Sequence, residues 1–202
     1  MTVAPDTAEA DVVRAGAPAA TFRGKWAFWA PVLPLALIDI ASKYAVFGWL
    51  RERFPGHPDS TRRVDFDFLP EPFGFALVDW TNTGTIWGLA QSATYPLMVI
   101  RVAALIALAW FARRTAADRK LQLFVLALIA AGAIGNLYDN LFMADRAVRD
   151  FLLFYRVGES GREHYFPAFN FADSCICVGA FSLAILMWRE DRRESRKRKA
   201  QA

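Results

Sequence analysis

A chain of 202 residues that is 55% apolar with a formal charge of +4 has the size of one soluble domain or a small membrane bundle, and a mean hydropathy of +0.20 favours the bundle. Its two histidines and two cysteines fall at no ligand spacing such as HExxH or CxxC, so no metal and no cofactor is expected. The basic residues crowd the flanks of apolar runs, which argues for membrane topology and anionic lipid rather than for nucleic acid.

Residues 1–25 are rich in Ala, Pro, Thr and Asp without sustained periodicity and are expected to form a flexible cytoplasmic extension. The first apolar run, Trp26 to Leu50, is longer than a signal-peptide core and has no small-x-small cleavage site after it, so it reads as a retained transmembrane helix. Its charges, Asp39 and Lys43, stand four apart on one helix face and suit an ion pair that braces the bundle. From residue 51 to 93 Pro, Gly, Asp and Arg accumulate, and VDFDFL and FGFALVDW predict a small sheet in this loop. Asn82 and Gly84, at the end of that loop, carry a turn signal.

The second run, Tyr95 to Ala112, holds Arg101 as its only charge, and the third, Leu121 to Leu137, holds none. The third ends in AAGAIGNLYDN, where Asn136, Asp139 and Asn140 fall on one face and Gly132, Ala133 and Gly135 permit close helix packing. Asp150 follows in RAVRDFL, ahead of an aromatic stretch that suits a membrane interface. The fourth run, Phe171 to Trp188, opens in FPAFNFADS, with Asn170, Asp173 and Cys177 on one side. Cys175 and Cys177 point apart on a helix and read as small core residues. The expected fold is therefore an all-α membrane protein of four transmembrane helices with a small extracytoplasmic β-sheet.

Positive charge sets the orientation. The link between the second and third runs has four basic residues and one acidic, and the tail from Arg189 has seven basic and three acidic. The loop 51–93 has four basic and six acidic, and 145–169 has four of each. Both termini are thus expected in the cytoplasm, with Asp150 and Asp173 at the outer ends of helices on the opposite face. Acids at a membrane boundary are expensive and imply function. Two neighbouring carboxylates can share a proton and divide acid and base roles in peptide hydrolysis, with the amides of Asn82, Asn136 and Asn170 as supports. The same acids could instead relay protons or cations in a small carrier, or merely cap helices.

The order of DxxxK (Asp39, Lys43), NxG (Asn82, Gly84), GNxxD (Gly135, Asn136, Asp139), RDF and FNxADS (Asn170, Ala172, Asp173) resembles lipoprotein signal peptidase, also called signal peptidase II, from Leu37 to Ile185. That resemblance implies an inner-membrane aspartyl endopeptidase that cuts before the diacylglyceryl-modified cysteine of a prolipoprotein, and the chain is expected to act as a monomer. The resemblance places the catalytic pair on Asp150 and Asp173, and supporting or substrate-binding positions on Asp39, Lys43, Asn82, Gly84, Asn136, Asp139, Asn170 and Ala172. The apolar runs bound an expected peptidase domain over residues 26–188, and the charge of the tail marks 189–202 as a basic cytoplasmic tail. Where the family carries an arginine directly after the GNxxD aspartate this chain has Asn140, and Arg101, Arg146 or Arg149 are the candidates to substitute.

Overall fold

The computed structural model of the protein describes residues 22–83 and 94–201. The proposed N-terminal extension as far as residue 21, and Gly84, lie outside the described residues. The elements run α1 Trp26–Arg53, β1 Arg63–Phe66, β2 Phe73–Asn82, α2 Thr94–Arg114, α3 Lys120–Phe142, β3 Val148–Val157, β4 Glu163–Tyr165 and α4 Phe171–Gln201. All four helices are long and apolar enough to cross a membrane. In hydrocarbon every backbone amide must be satisfied within its own segment, which is why these apolar runs become helices.

The hub is α3. Over half of its apolar window, 56%, is buried, against 22% or less in each of the other three spans. Small residues give it that position. A Cβ placed on Gly132 would stand 2.3 Å from the backbone oxygen of Ala172 in α4, and one on Gly135 would stand 2.3 Å from Asp39 Oδ2 in α1. Without side chains at these two points the neighbouring helices come close enough to exchange polar contacts. Away from the sheet, Ala27, Phe28, Leu108, Ala112, Leu123, Leu126, Ala127 and Ala130 close the bundle as one apolar cluster. There Lys25, just ahead of α1, is buried and donates to the carbonyls of Ala112 and Arg113 at the end of α2, satisfying acceptors that a helix C-terminus leaves open.

The sheet is antiparallel in the order β1-β2-β3-β4. Phe66 pairs with Phe75, and Phe75 with Phe154, so an aromatic row crosses three strands. A register shift between Leu77 and Trp80 bends β2 just before its pairing with Asp150. The expected strands in the 51–93 loop are present as β1 and β2, but half of the sheet comes from elsewhere. The stretch after α3, expected to be an interfacial aromatic segment, forms β3 and β4. Both faces of β3 carry large apolar residues, as in Phe151, Leu152, Leu153 and Phe154, and so the alternation of polar and apolar residues that betrays a one-sided strand is missing.

Two further differences concern α4. It continues as helix to Gln201, well past Trp188, through a charged stretch with the i,i+4 pair Glu194 and Arg198. Of its two free cysteines Cys175 is buried and Cys177 exposed, so only the first is a core residue.

The glycine contacts are testable. Gly132→Ala sets a methyl against a backbone carbonyl that cannot rotate away, and should cost about 1–3 kcal/mol, read as a lower thermal midpoint in detergent micelles. Gly48, with nothing within 4 Å of its would-be Cβ, is the control, and Gly48→Ala should leave the midpoint unchanged or raise it.

Candidate active site

At the sheet end of the bundle the polar residues of α1, α3, β3 and α4 form one connected network. Its base is Lys43, whose side chain is fully buried. Nζ lies 2.7 Å from Asp39 Oδ2 and 3.1 Å from Asp139 Oδ2, and donates to Asn136 Oδ1 at 3.0 Å. Asp39 Oδ1 accepts the backbone N–H of Ala172 at 2.8 Å, tying α1 to the start of α4. Asp139 is held on its other side by Arg149, through Nη2 at 2.7 Å, Nε at 3.1 Å and the backbone N–H at 3.0 Å. The Arg149 guanidinium also lies 4.2 Å from the ring centroid of Tyr44, a cation–π contact that adds to its anchorage. Two acids and two bases thus alternate, and buried charges survive because each is paired and hydrogen-bonded.

Above this base stand Asp150 and Asp173, which meet no cation in an ion pair among the described residues. Asp173 lies in the first turn of α4. Asn170 caps that helix. Its Oδ1 accepts the N–H of Asp173 at 2.9 Å, while Asp173 Oδ2 accepts the N–H of Asn170 at 3.2 Å, a reciprocal capping box. Asn136 Nδ2 donates to the other oxygen, Asp173 Oδ1, at 2.7 Å. Asp150, expected at a helix end, lies on β3; the strand after α3 carries it back over the bundle. Asn170 Nδ2 donates to Asp150 Oδ1 at 2.8 Å, and the side chain of Asn82, at the end of β2, hydrogen-bonds the same carboxylate. Asn170 Nδ2 is also 3.1 Å from Asn136 Oδ1, which closes the ring of amides. Burial, followed by the charge of Asp173, pushes the Asp150 carboxyl up to about 8, against smaller opposing effects of Lys43, Asn170 and Asn82.

The sequence candidates therefore gather in one place: Asp39, Lys43, Asn82, Asn136, Asp139, Asp150, Asn170, Ala172 and Asp173 all enter the network. Gly84 is outside the described residues. Arg149 is the member with the least signal in the sequence. Read as a strand, VRDFLLF sends adjacent residues to opposite faces, and Arg149 and Asp150, both buried, accordingly meet different partners, Asp139 for the first and Asn170 for the second. The position where an arginine was expected, Asn140, accepts a hydrogen bond from Arg101 Nη1 of α2 and donates from Nδ2 to the backbone oxygen of Arg146 at 2.6 Å.

The family model described as Signal peptidase (SPase) II matches residues 32–189. The chain is 36% identical over 122 residues to the lipoprotein signal peptidase of Syntrophotalea carbinolica, covering 59% of this chain and 71% of that one. It is 32% identical over 140 residues to the lipoprotein signal peptidase of Clostridium acetobutylicum, covering 69% of this chain and 86% of the relative. A solved structure of a bacterial membrane enzyme superposes with a TM-score of 0.62 at 24% identity, over 85% of this chain and 92% of that chain. At that identity the likeness speaks for the fold.

The raised carboxyl has a consequence for stability. Folded, Asp150 keeps its proton to about pH 8; unfolded, it releases it in the ordinary carboxylate range. The unfolded chain therefore binds fewer protons between those limits, and stability falls as pH rises through them. Asp150→Asn removes this slope. Its thermal midpoint should exceed the wild-type value at pH 8.5, and the difference should close toward pH 4; an unchanged gap across the range would contradict the assignment.

Proposed function

The chain belongs to the signal peptidase II family, a protease family of lipoprotein processing, and we propose that it removes the signal peptide from diacylglyceryl-modified prolipoproteins, using Asp150 and Asp173 as an aspartate pair. One observation carries this reading. Asn170 holds both carboxylates, Asp150 through its side-chain amide and Asp173 through its backbone N–H, and it does so without neutralising either. Two like charges so placed share a proton.

The division of labour follows from the surroundings. Asp150 keeps the proton at neutral pH. Asp173 accepts two N–H groups and sits at a helix N-terminus, where negative charge is favoured. Asp173 takes a proton from water as the water oxygen bonds to the scissile carbonyl carbon, and the carbonyl oxygen receives the proton of Asp150. In the resulting gem-diol the C–N bond breaks. The proton on Asp173 passes to the leaving nitrogen, and Asp150 recovers its own from a diol hydroxyl. The products are the signal peptide's new carboxyl end and the free amine of the lipid-bearing cysteine. General acid and base help of this kind contributes on the order of 10² to 10⁴ in rate.

Around the pair, Asn82, Asn136 and Asn170 orient the carboxylates, with Gly84 two positions after Asn82 in sequence, while Asp39, Lys43, Asp139 and the Ala172 backbone fix the helices that carry them. The membrane supplies the rest of the orientation. A diacylated cysteine stays in the bilayer, so the bond beside it is presented at the interface, at the depth of the pair. We place the pair at the extracytoplasmic face and both termini in the cytoplasm, because the basic flanks lie at the opposite end of the helices. The peptidase unit spans residues 26–188 and works as a monomer. A relay of protons from end to end is disfavoured, since Asp39 and Asp139 are locked in ion pairs with Lys43 and Arg149.

Asp150→Asn and Asp173→Asn should each lower cleavage of a lipidated prolipoprotein at least ~10³-fold, followed by mass spectrometry of the cut before the modified cysteine, with the protein still folded and with chelator present. Full activity in either variant would sink the pair. Wild-type kcat/KM should fall above about pH 8, where Asp150 loses its proton. Asn82→Ala removes a hydrogen bond that favours the ionised form, so this alkaline limb should move to higher pH.

A further inference from the structure

Arg101 has no part in the mechanism above, yet it carries the only charge on α2 before Arg113. Its Nη1 donates to Asn140 Oδ1. Asn140 is itself fixed by the hydrogen bond from its Nδ2 to the Arg146 carbonyl, so the guanidinium is tethered in one direction. Asp139, Asp150 and Asp173 all lie within its electrostatic reach, but among the described residues it forms an ion pair with none of them. Asp139 is already engaged by Lys43 and Arg149.

A neutral amide is a weak counterpart for a half-buried cation in a membrane span, where an unmatched charge is costly. The guanidinium fork is built to receive a carbonyl or phosphate oxygen. The packing leaves a way to it. Among its described residues α2 buries only Leu108 and Ala112, both in the half away from the sheet. Next to Arg101, Val99, Ile100 and Val102 are 68%, 61% and 44% exposed, so this part of α2 faces lipid. A group arriving through the bilayer along this part of α2 comes to Arg101, which lies within electrostatic reach of Asp150 and Asp173.

We propose that Arg101 binds an ester carbonyl oxygen of the substrate's diacylglyceryl group and thereby positions the lipid-bearing cysteine against the aspartate pair. This rests on the peptidase reading. The ester carbonyls lie a few bonds from the cysteine whose nitrogen is the leaving group, which suits a cation within electrostatic reach of the aspartates. The same fork would accept a bilayer phosphate, and the two sources are separable.

The test measures binding in the catalytically silent Asp150→Asn background, so that it does not depend on turnover. A fluorescent lipopeptide with two ester-linked chains is compared with its ether-linked analogue, which has the same chains and no ester carbonyls, in zwitterionic bicelles. Arg101 intact, the ester peptide should bind about tenfold tighter, the worth of one good charge-assisted hydrogen bond. Arg101→Gln should erase that preference, and Arg101→Lys, which keeps the charge without the fork, should retain part of it. If Arg101→Gln weakens both peptides equally, or neither, the arginine has a packing role and the proposal fails. If instead the ester preference survives in Arg101→Gln while sensitivity to added anionic phospholipid disappears, the ligand is a bilayer phosphate and the substrate assignment is wrong. Cleavage by the wild-type protein is scored separately, so loss of the peptidase reading is not confused with loss of this contact.

Discussion

The sheet end of the molecule depends on one buried ammonium. Lys43 is surrounded by Asp39, Asp139 and Asn136, and through them it joins α1 to α3 and to the first turn of α4. Desolvating a lysine is expensive, and its free energy is recovered only with both carboxylates present and Arg149 balancing the second of them. Removing one member would leave an uncompensated charge in a membrane bundle, at a cost of about 3–5 kcal/mol. The small residues of α3 are part of the same constraint. Gly135 is vacant of side chain where Asp39 sits, and Gly132 where the Ala172 carbonyl sits. The ion pairs need that close approach, and the close approach would bring buried polar atoms together at a loss without the ion pairs.

Four carboxylates therefore occupy a small volume in two distinct conditions. Asp39 and Asp139 face cations and are committed to structure. Asp150 and Asp173 face amides: Asn170 and Asn82 on one, Asn136 and the Asn170 backbone on the other. An amide donates a hydrogen bond without supplying a full charge, so it orients a carboxylate and leaves its proton free to move. The three asparagines are what separate the proposed catalytic pair from the ion-paired one. Membership of the signal peptidase II family fits this division, because the proposed hydrolysis would draw on both the rigid polar base and the carboxylate pair above it.

The way the two carboxylates meet is a property of the fold. Asp173 is delivered by a helix and Asp150 by a strand, and the strand belongs to a sheet assembled from two loops far apart in sequence. The bend in β2 between Leu77 and Trp80 brings Asn82 to the same carboxylate. On β3, Arg149 and Asp150 are adjacent and serve opposite sides of the strand, one anchoring the ion pairs and the other completing the site.

Much of this was legible in the residues alone. Four apolar runs, their basic flanks, the i,i+4 pair of Asp39 and Lys43, and the polar face of Asn136 and Asp139 are local features, written in hydropathy and helical spacing, and physical chemistry reads them without a fold. The order of short motifs pointed to the aspartates. What the residues alone did not decide was how charge is apportioned across elements. Strand β3 is apolar on both faces, so its periodicity is silent, and with it the role of Arg149. Cys177 shares a helix with Cys175 but faces outward, because exposure depends on which neighbours pack where. Asn140 stands where an arginine was expected, and the guanidinium beside it comes from Arg101, on a different helix and 39 positions away. Spacing along a chain determines which side chains share a face; only the packing of one element against another determines which charges meet.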